Sequence, residues 1–429
     1  MKGAPMTSAA NPVPAPASMK LGELVALLVA MTAVVALAID MMLPALGNIA
    51  ADLGTAHPND RQYVITTYLL GFSVAQLAYG PLSDAYGRKP VILGALGLFL
   101  AATLACMLAQ SFEMLLLARL LQGAAAAACR VIATAIARDL TSGRRMAEVM
   151  SMVMTVFMAV PVLAPSLGQL ILFYLPWRGI FAFLMLFAAG LMLWLHFRMP
   201  ETLHPEHRRK LGFTSSVRGF AEAMTTRLTL GYTLAGAAFF SGLYGFLGSS
   251  EQIFAEHFQL GERFPLAFAG IAFGMGITSY ANSRLVMRWG QRRLSHSALI
   301  AFTAISIIHA GVLAAGVDNL VVFMVLLAAA MALLGLIAAN FSAIAMEPVG
   351  HIAGTASAAY GFVTGVIASL AGALIGQLYD GTAIPLVTGQ ALMGALAFVI
   401  VLVTERGRLF ENHEGEASSP DQPDAGQPN

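Results

Sequence analysis

Gly80-Pro81-Leu82-Ser83-Asp84-Ala85-Tyr86-Gly87-Arg88-Lys89 is the first dense cluster of charge and turn residues in a chain that is otherwise almost all apolar. Gly87, lacking a Cβ, permits a sharp reversal at positive φ, and Gly80 is expected to let two backbones approach closely. Asp84 places a carboxylate at the end of one helix, and Arg88 and Lys89 place cations just beyond it. The string reads as a charged turn between two apolar helices, and its flanks say which solvent those helices face.

The chain is 429 residues long, 58% hydrophobic and only 11% charged, against roughly 25% charged in soluble domains. A soluble fold cannot hide that much apolar surface, so the bilayer is part of the solvent. A net charge of +1 gives no reason to invoke nucleic acid. Cys106 and Cys129 lie in apolar runs without metal or redox spacing and read as small packing residues. Residues 1–20 and 405–429 read as disordered by composition. The N-terminal stretch is not a signal peptide, because the apolar run after Lys20 is too long for an h-region.

Runs long enough to cross a bilayer begin near Leu21, Asp60, Val91, Phe112, Met146 and Ile180, and again near Leu228, Pro265, Ser295, Leu320, Ala353 and Ile384. These predict an all-α membrane protein of twelve transmembrane helices, with both termini on one side. If that side is cytoplasmic, 19 of the 24 Lys and Arg residues lie inside, and only Arg61, Arg178 and Arg263 lie outside. The longest interior connection, 200–227, falls mid-chain. The expected domains are a six-helix bundle over 21–199, a cytoplasmic linker over 200–227 and a second six-helix bundle over 228–404. The second half repeats the first. Leu285-Val286-Met287-Arg288-Trp289-Gly290-Gln291-Arg292 matches Leu82 to Lys89 in its leucine, aromatic, glycine and nearby cation, 203 residues on, with Met287 in place of Asp84. Such parallel repeats place a substrate site between the halves, near the bilayer midplane.

A charge at the bilayer centre costs roughly 2.5–3.5 kcal/mol on insertion scales, so each intramembrane ionisable residue is a functional candidate. Asp40 lies toward the outer half of helix 1. Burial disfavours its carboxylate and a nearby cation favours it, so it is suited to taking up and releasing a proton; the other reading is an acid that caps a helix end or reaches water. Arg119 lies about two turns into helix 4, with Gln122 one turn further on the same face. It stays charged and needs partners; Asp40 is the expected one, for function or merely to orient two helices. Glu251, at the outer end of helix 7, is either a rim acid or a cavity group. Glu347, between helices 10 and 11, reads as a gate or cap residue. Arg130 is a second intramembrane cation with no assigned role.

Helix 5 carries Pro161, Pro165 and Gly168. The prolines remove backbone donors and kink the helix, and Gly168 allows close packing. Met150, Met152, Met154, Phe157 and Met158 on that helix suit a cavity for varied apolar ligands or plain packing. His309 reads as a packing residue. No Walker loop, His-Glu-x-x-His or Gly-x-Ser-x-Gly string is present, so no enzyme, cofactor or metal site is expected.

The Gly80–Lys89 string resembles the loop after the second helix of the major facilitator superfamily, which in that family latches the two halves together on the cytoplasmic side. Pro161-x-x-x-Pro165-x-x-Gly168 resembles the fifth-helix motif of its exporters. Asp40 to Leu46, Gly80 to Asp84, Arg138-Asp139-Leu140, Trp177 to Phe181, Ala353 to Ala358 and Asp380 to Ala383 together resemble the bicyclomycin/chloramphenicol-resistance (Bcr/CflA) group of drug exporters. One departure is the alanine run 124–128, where a second glycine is expected after Gly123. The resemblance implies a monomeric, proton-coupled multidrug antiporter in a bacterial inner membrane. Its partners would be small drugs, protons and lipid. Asp40 is implied as the coupling site and Arg119 as its modulator. A same-fold, proton-coupled transporter of one metabolite is the competing class.

Overall fold

A computed structural model of the chain describes residues 19–141, 143–208 and 213–411. The two expected disordered ends therefore lie largely outside the described residues, as do Arg209 and Lys210 of the linker and the side chain of Phe157.

The described residues form twelve helical passes. Ten stretches are long and apolar enough to cross a bilayer. One of them, Leu320–Gln377, turns back through the short helix Glu347–Ile352 and supplies two passes. The remaining pass, Tyr63–Tyr86, is more polar because Ser73, Gln76 and Ser83 lie along it. In chain order we number the helices 1 (Leu21–Leu53, interrupted), 2 (Tyr63–Tyr86), 3 (Arg88–Met107), 4 (Phe112–Leu140), 5 (Gly143–Tyr174) and 6 (Arg178–Arg198). The second half holds 7 (Arg227–Glu251), 8 (Phe264–Trp289), 9 (Gln291–Ala314), 10 (320–346, interrupted), 11 (Ala353–Gln377) and 12 (Ile384–Thr404). The expected starts fall within four residues of these. An additional helix, Phe213–Thr225, lies between the halves in sequence and packs on helix 11, where Gly219 meets Thr355.

Helices 1–6 and 7–12 form two bundles that meet along helix 2 against 11 and helix 5 against 8. The lipid-facing surface is a belt of exposed apolar side chains, including Leu186, Leu193, Phe197, Val321, Leu374 and Val403; such a belt on a soluble protein would aggregate. The ends of the helices follow local chemistry. Ser111 caps helix 4 by accepting from the Met114 amide (3.2 Å), and Asn319 caps helix 10 through the Val321 amide (2.9 Å). Gly87, at φ 103°, turns the chain from helix 2 into helix 3. Helix 5 runs through Pro161 and Pro165 without interruption.

Two features were not legible beforehand. Helix 1 breaks after Asp40: a 3-10 turn, Leu43–Ala45, precedes the terminal segment Leu46–Leu53. Helix 10 breaks at Leu333, where Gly335 presses on Met275, Thr278 and Ser279 of helix 8, and Thr278 donates to the freed Ala332 carbonyl.

Candidate functional site

The end of the bundle opposite the chain termini, here the far end, is closed by contacts between the halves. Arg61 and Gln62 sit on a short helix, Pro58–Gln62, leading into helix 2. Arg61 pairs with Glu251 (3.2 Å) and with Glu256 (2.5 Å), and both Arg61 and Glu251 are buried. Gln62 donates to Gln252 Oε1 (2.5 Å) and to the Gly376 carbonyl (3.0 Å). Asn59 donates to the Tyr379 carbonyl (2.8 Å) and accepts from Gln252 Nε2 (2.8 Å). Glu251, expected either at a rim or in a cavity, is thus part of a seam. Arg61, Asn59, Gln62 and Gln252 were missed; the available signal was a polar Arg61-Gln62 pair heading one run and Glu251-Gln252 ending another.

The opposite end is not closed in this way. Helices 2 and 11 run antiparallel, with Gln62 against Gly376, Ser73 against Gly365 and Gln76 against Gly361. The same register sets Asp84 opposite Gly354, yet a Cβ on either Gly80 or Gly354 would meet nothing within 4 Å. The expected close approach at Gly80 is therefore corrected: among the described residues nothing packs against it, because helices 2 and 11 have separated before reaching it.

Arg88 anchors the turn within its own half. It donates to Asp84 (2.5 Å), Ser83 (2.7 Å) and Asp139 (3.0 Å), while Glu201 accepts from the Arg88 amide (2.9 Å). Gly87 is held against that carboxylate, where a Cβ would strike Glu201. The second half repeats the arrangement one residue out of register with the sequence match. Arg292 donates to both oxygens of Glu347 (3.2 and 2.7 Å) and to Glu405 (3.0 Å), and the Tyr232 hydroxyl also donates to Glu405 (2.6 Å). Met287, in place of Asp84, is exposed. Glu347 is thus an intra-half ion-pair partner.

Asp40 occupies the last position of the first segment of helix 1 and is 5% exposed. Its side chain makes no hydrogen bond or ion pair with any described residue. Gly168 of helix 5 lies flush on the Met41 backbone just past it; a Cβ there would run into the Met41 carbonyl. Beyond the break, Gly47 rests on the seam, where its Cβ would come within 3.2 Å of both Arg61 Nη1 and Glu251 Oε1. The stretch after Asp40 thus connects the buried carboxyl to the far-end ion pair.

Arg119 is fully buried, and its expected pairing with Asp40 is absent. Its Nε donates to the Val64 carbonyl (3.0 Å), its Nη1 to Gln122 Oε1 (2.6 Å), and its guanidinium stacks 4.4 Å above the Tyr68 ring. Gln122 in turn donates to Thr103 (2.8 Å). Tyr68 links the surroundings of the two charges: it stacks on Arg119, and its hydroxyl donates to the Val35 carbonyl (3.3 Å), five residues before Asp40 on helix 1. Gly71 and Gly123 bring helices 2 and 4 into backbone contact, against Leu120 and Tyr68 respectively, and so set the Tyr68 ring over the guanidinium. Ala124 in place of a second glycine does not prevent that approach.

A sequence model of the Major Facilitator Superfamily matches residues 28–373. The bicyclomycin resistance protein homolog of Haemophilus influenzae is 30% identical over 373 residues, covering 85% of this chain and 90% of that protein. The chloramphenicol resistance protein of Pseudomonas aeruginosa is 32% identical over 372 residues, covering 82% and 83%. Among solved structures, that of the xylose transporter XylE from E. coli matches with a TM-score of 0.69 at 11% identity, over 88% of this chain and 97% of that one. A likeness at that identity speaks to the fold.

Proposed function

The chain belongs to the Major Facilitator Superfamily of membrane transporters and, within it, to the bicyclomycin/chloramphenicol-resistance group, and from that premise we propose that it exports small, largely apolar drugs in exchange for protons. In this reading the protein acts as a monomer in a bacterial inner membrane; the collection of basic residues at one end supports placing both termini in the cytoplasm. The observation that carries the reading is the pairing of a far-end seam with an isolated carboxyl one broken helix away from it.

In this reading the structure is the inward-facing member of an alternating pair. Drug enters from the cytoplasm between the diverged ends of helices 2 and 11. Proton and drug oppose each other at or near Asp40: release of the proton inward accompanies loading, and uptake from outside accompanies discharge. The coupling is reciprocal by linkage. The break after Asp40 transmits its state to Gly47 and so to Arg61–Glu251. Tyr68 lets Arg119 bias Asp40 without neutralising it in a contact pair. Glu251 acts in the outer gate, and Glu347 and Arg292 brace the second half.

The direct test is transport in inverted membrane vesicles. Acidifying their interior should load chloramphenicol above vesicles lacking the protein, and a protonophore should erase the difference. Loading that ignores the protonophore, or drug movement in the other direction, overturns the reading.

Closure of the cytoplasmic end brings Asp84 to Gly354, at the start of helix 11, which has no side-chain cap. A carboxylate there complements the helix dipole. Asp84→Asn should slow export by about two- to tenfold while leaving drug affinity in the purified protein unchanged. Affinity falling in step with transport assigns the turn to assembly instead.

A further inference from the structure

Two cations of the second repeat have no task in the cycle just described. The stretch Leu285 to Arg292 copies Leu82 to Lys89, and Arg292 takes the anchoring role that Arg88 has in the first half. Arg284 and Arg288 are additions: the residues 203 positions before them are Pro81 and Ala85. Both arginines are exposed, and neither forms an ion pair with any described residue.

Their place on helix 8 decides what they face. Leu266, Phe273, Ile277 and Tyr280 follow one another at helical spacing and are all exposed, so they form one stripe along the helix. The stripe starts at the far end, where the two halves are closed on each other. It therefore runs along the outside of the bundle, against lipid, and not in the space between the halves. Arg284 and Arg288 extend it by one and two turns, with Met287 and Trp289 exposed beside them. The rise from Leu266 to Arg284 is about 27 Å, close to the roughly 30 Å of the hydrocarbon core. Arg288 stands about 6 Å further on. The two guanidiniums thus lie at the depth of the lipid phosphates. Arg284 Nη2 donates to the Tyr280 hydroxyl (3.2 Å), and the guanidinium lies 5.7 Å from the centre of that ring, which holds it along the stripe. Tyrosine and tryptophan are the side chains that settle at headgroup level; here Tyr280 and Trp289 bracket the two cations. Arginine keeps its charge, and its fork of donors matches phosphate oxygens.

We propose that Tyr280, Arg284, Arg288 and Trp289 form a docking surface for the headgroup of an anionic phospholipid, whose acyl chains lie along Ile277 and Phe273. The arginines bind the phosphate, and the net negative charge of the lipid answers a pair of cations that the chain itself leaves unpaired. Which leaflet supplies the lipid rests on the topology proposed above; the binding does not depend on the direction of transport.

Native mass spectrometry of the purified protein in an equimolar mixture of phosphatidylglycerol and phosphatidylcholine tests this. In the first retained lipid, wild type should favour phosphatidylglycerol by about 10- to 30-fold, the scale of two cations at a membrane surface. Arg284→Gln combined with Arg288→Gln should erase that preference while leaving the melting temperature in phosphatidylcholine as in wild type. Arg288→Gln alone should lower it about fivefold, and replacing both arginines with lysine should keep most of it. Arg218→Gln combined with Arg227→Gln removes the same charge from exposed positions elsewhere at that end of the protein, and should leave the preference unchanged. No preference in wild type, or one that survives in the Arg288→Gln and double variants, overturns the proposal. So does an equal loss in the Arg218/Arg227 control, which would make the preference a property of net charge and not of this surface. Lipid preference is read without transport, so its loss leaves the export reading standing, and failed drug loading of vesicles leaves the lipid surface standing.

Discussion

Asp40→Asn is expected to abolish drug-evoked proton release and to lower export to the level of protein-free liposomes, in a protein that still folds and inserts. Asn matches the shape of the carboxyl but binds no exchangeable proton near neutral pH. Stability should hold or rise, because the substitution removes a group whose charged form costs roughly 2.5–3.5 kcal/mol at mid-membrane. Asp40 has no ion-pair or hydrogen-bond partner to lose among the described residues, so no orphaned group is left behind. Asp40→Glu should retain part of the coupling. The decisive measurement is release of protons into weakly buffered medium on adding drug to purified protein, alongside thermal melting. Release equal to wild type in the Asn variant removes Asp40 from the mechanism; a collapsed melting temperature makes it a structural residue.

The second large effect concerns Arg61. Replacing it with alanine leaves Glu251 buried without its cation, and stranding a buried partner in this way typically costs about 3–5 kcal/mol. The far end escapes that penalty by opening and hydrating Glu251. Arg61→Ala should therefore shift the inward- to outward-facing ratio by about 100-fold or more. Spin labels at the exposed positions Ala56 and Glu262, one in each half, report this as a longer interlabel distance. Arg61→Met combined with Glu251→Leu should recover much of the closed population, since replacing both charges with apolar groups strands neither. Unchanged distances in the single variant would show that the seam does not hold the gate.

The chemistry of individual helices was open to reading in advance because it depends on near neighbours along the chain. Gly87 ended helix 2, as the turn implied, and Arg88 paired with Asp84 four residues before it. Gln122 met Arg119 at one helical turn. Contacts between helices distant in sequence were harder. Asp40 and Arg119 are the obvious opposite charges, yet Arg119 is held instead by the Val64 carbonyl, Gln122 and the Tyr68 ring. That outcome depends on how closely Gly71 and Gly123 let helices 2 and 4 approach. Gly80 looked like a packing glycine, but whether any backbone faces it depends on the angle between the two halves.

The sequence by itself determined the solvent, the twelve passes, the repeat and the family, because apolar run length, turn residues and internal similarity are properties of the chain read in one dimension. Only the tertiary structure decided which charges meet. It put Arg61 on Glu251, Arg292 on Glu347 and Asn59 on Gln252, all across long sequence separations. In hydrocarbon nearly every helix face is apolar, so the sequence pattern scarcely marks which face turns toward which neighbour; glycine-sized gaps and the sparse polar groups choose it when the bundles pack.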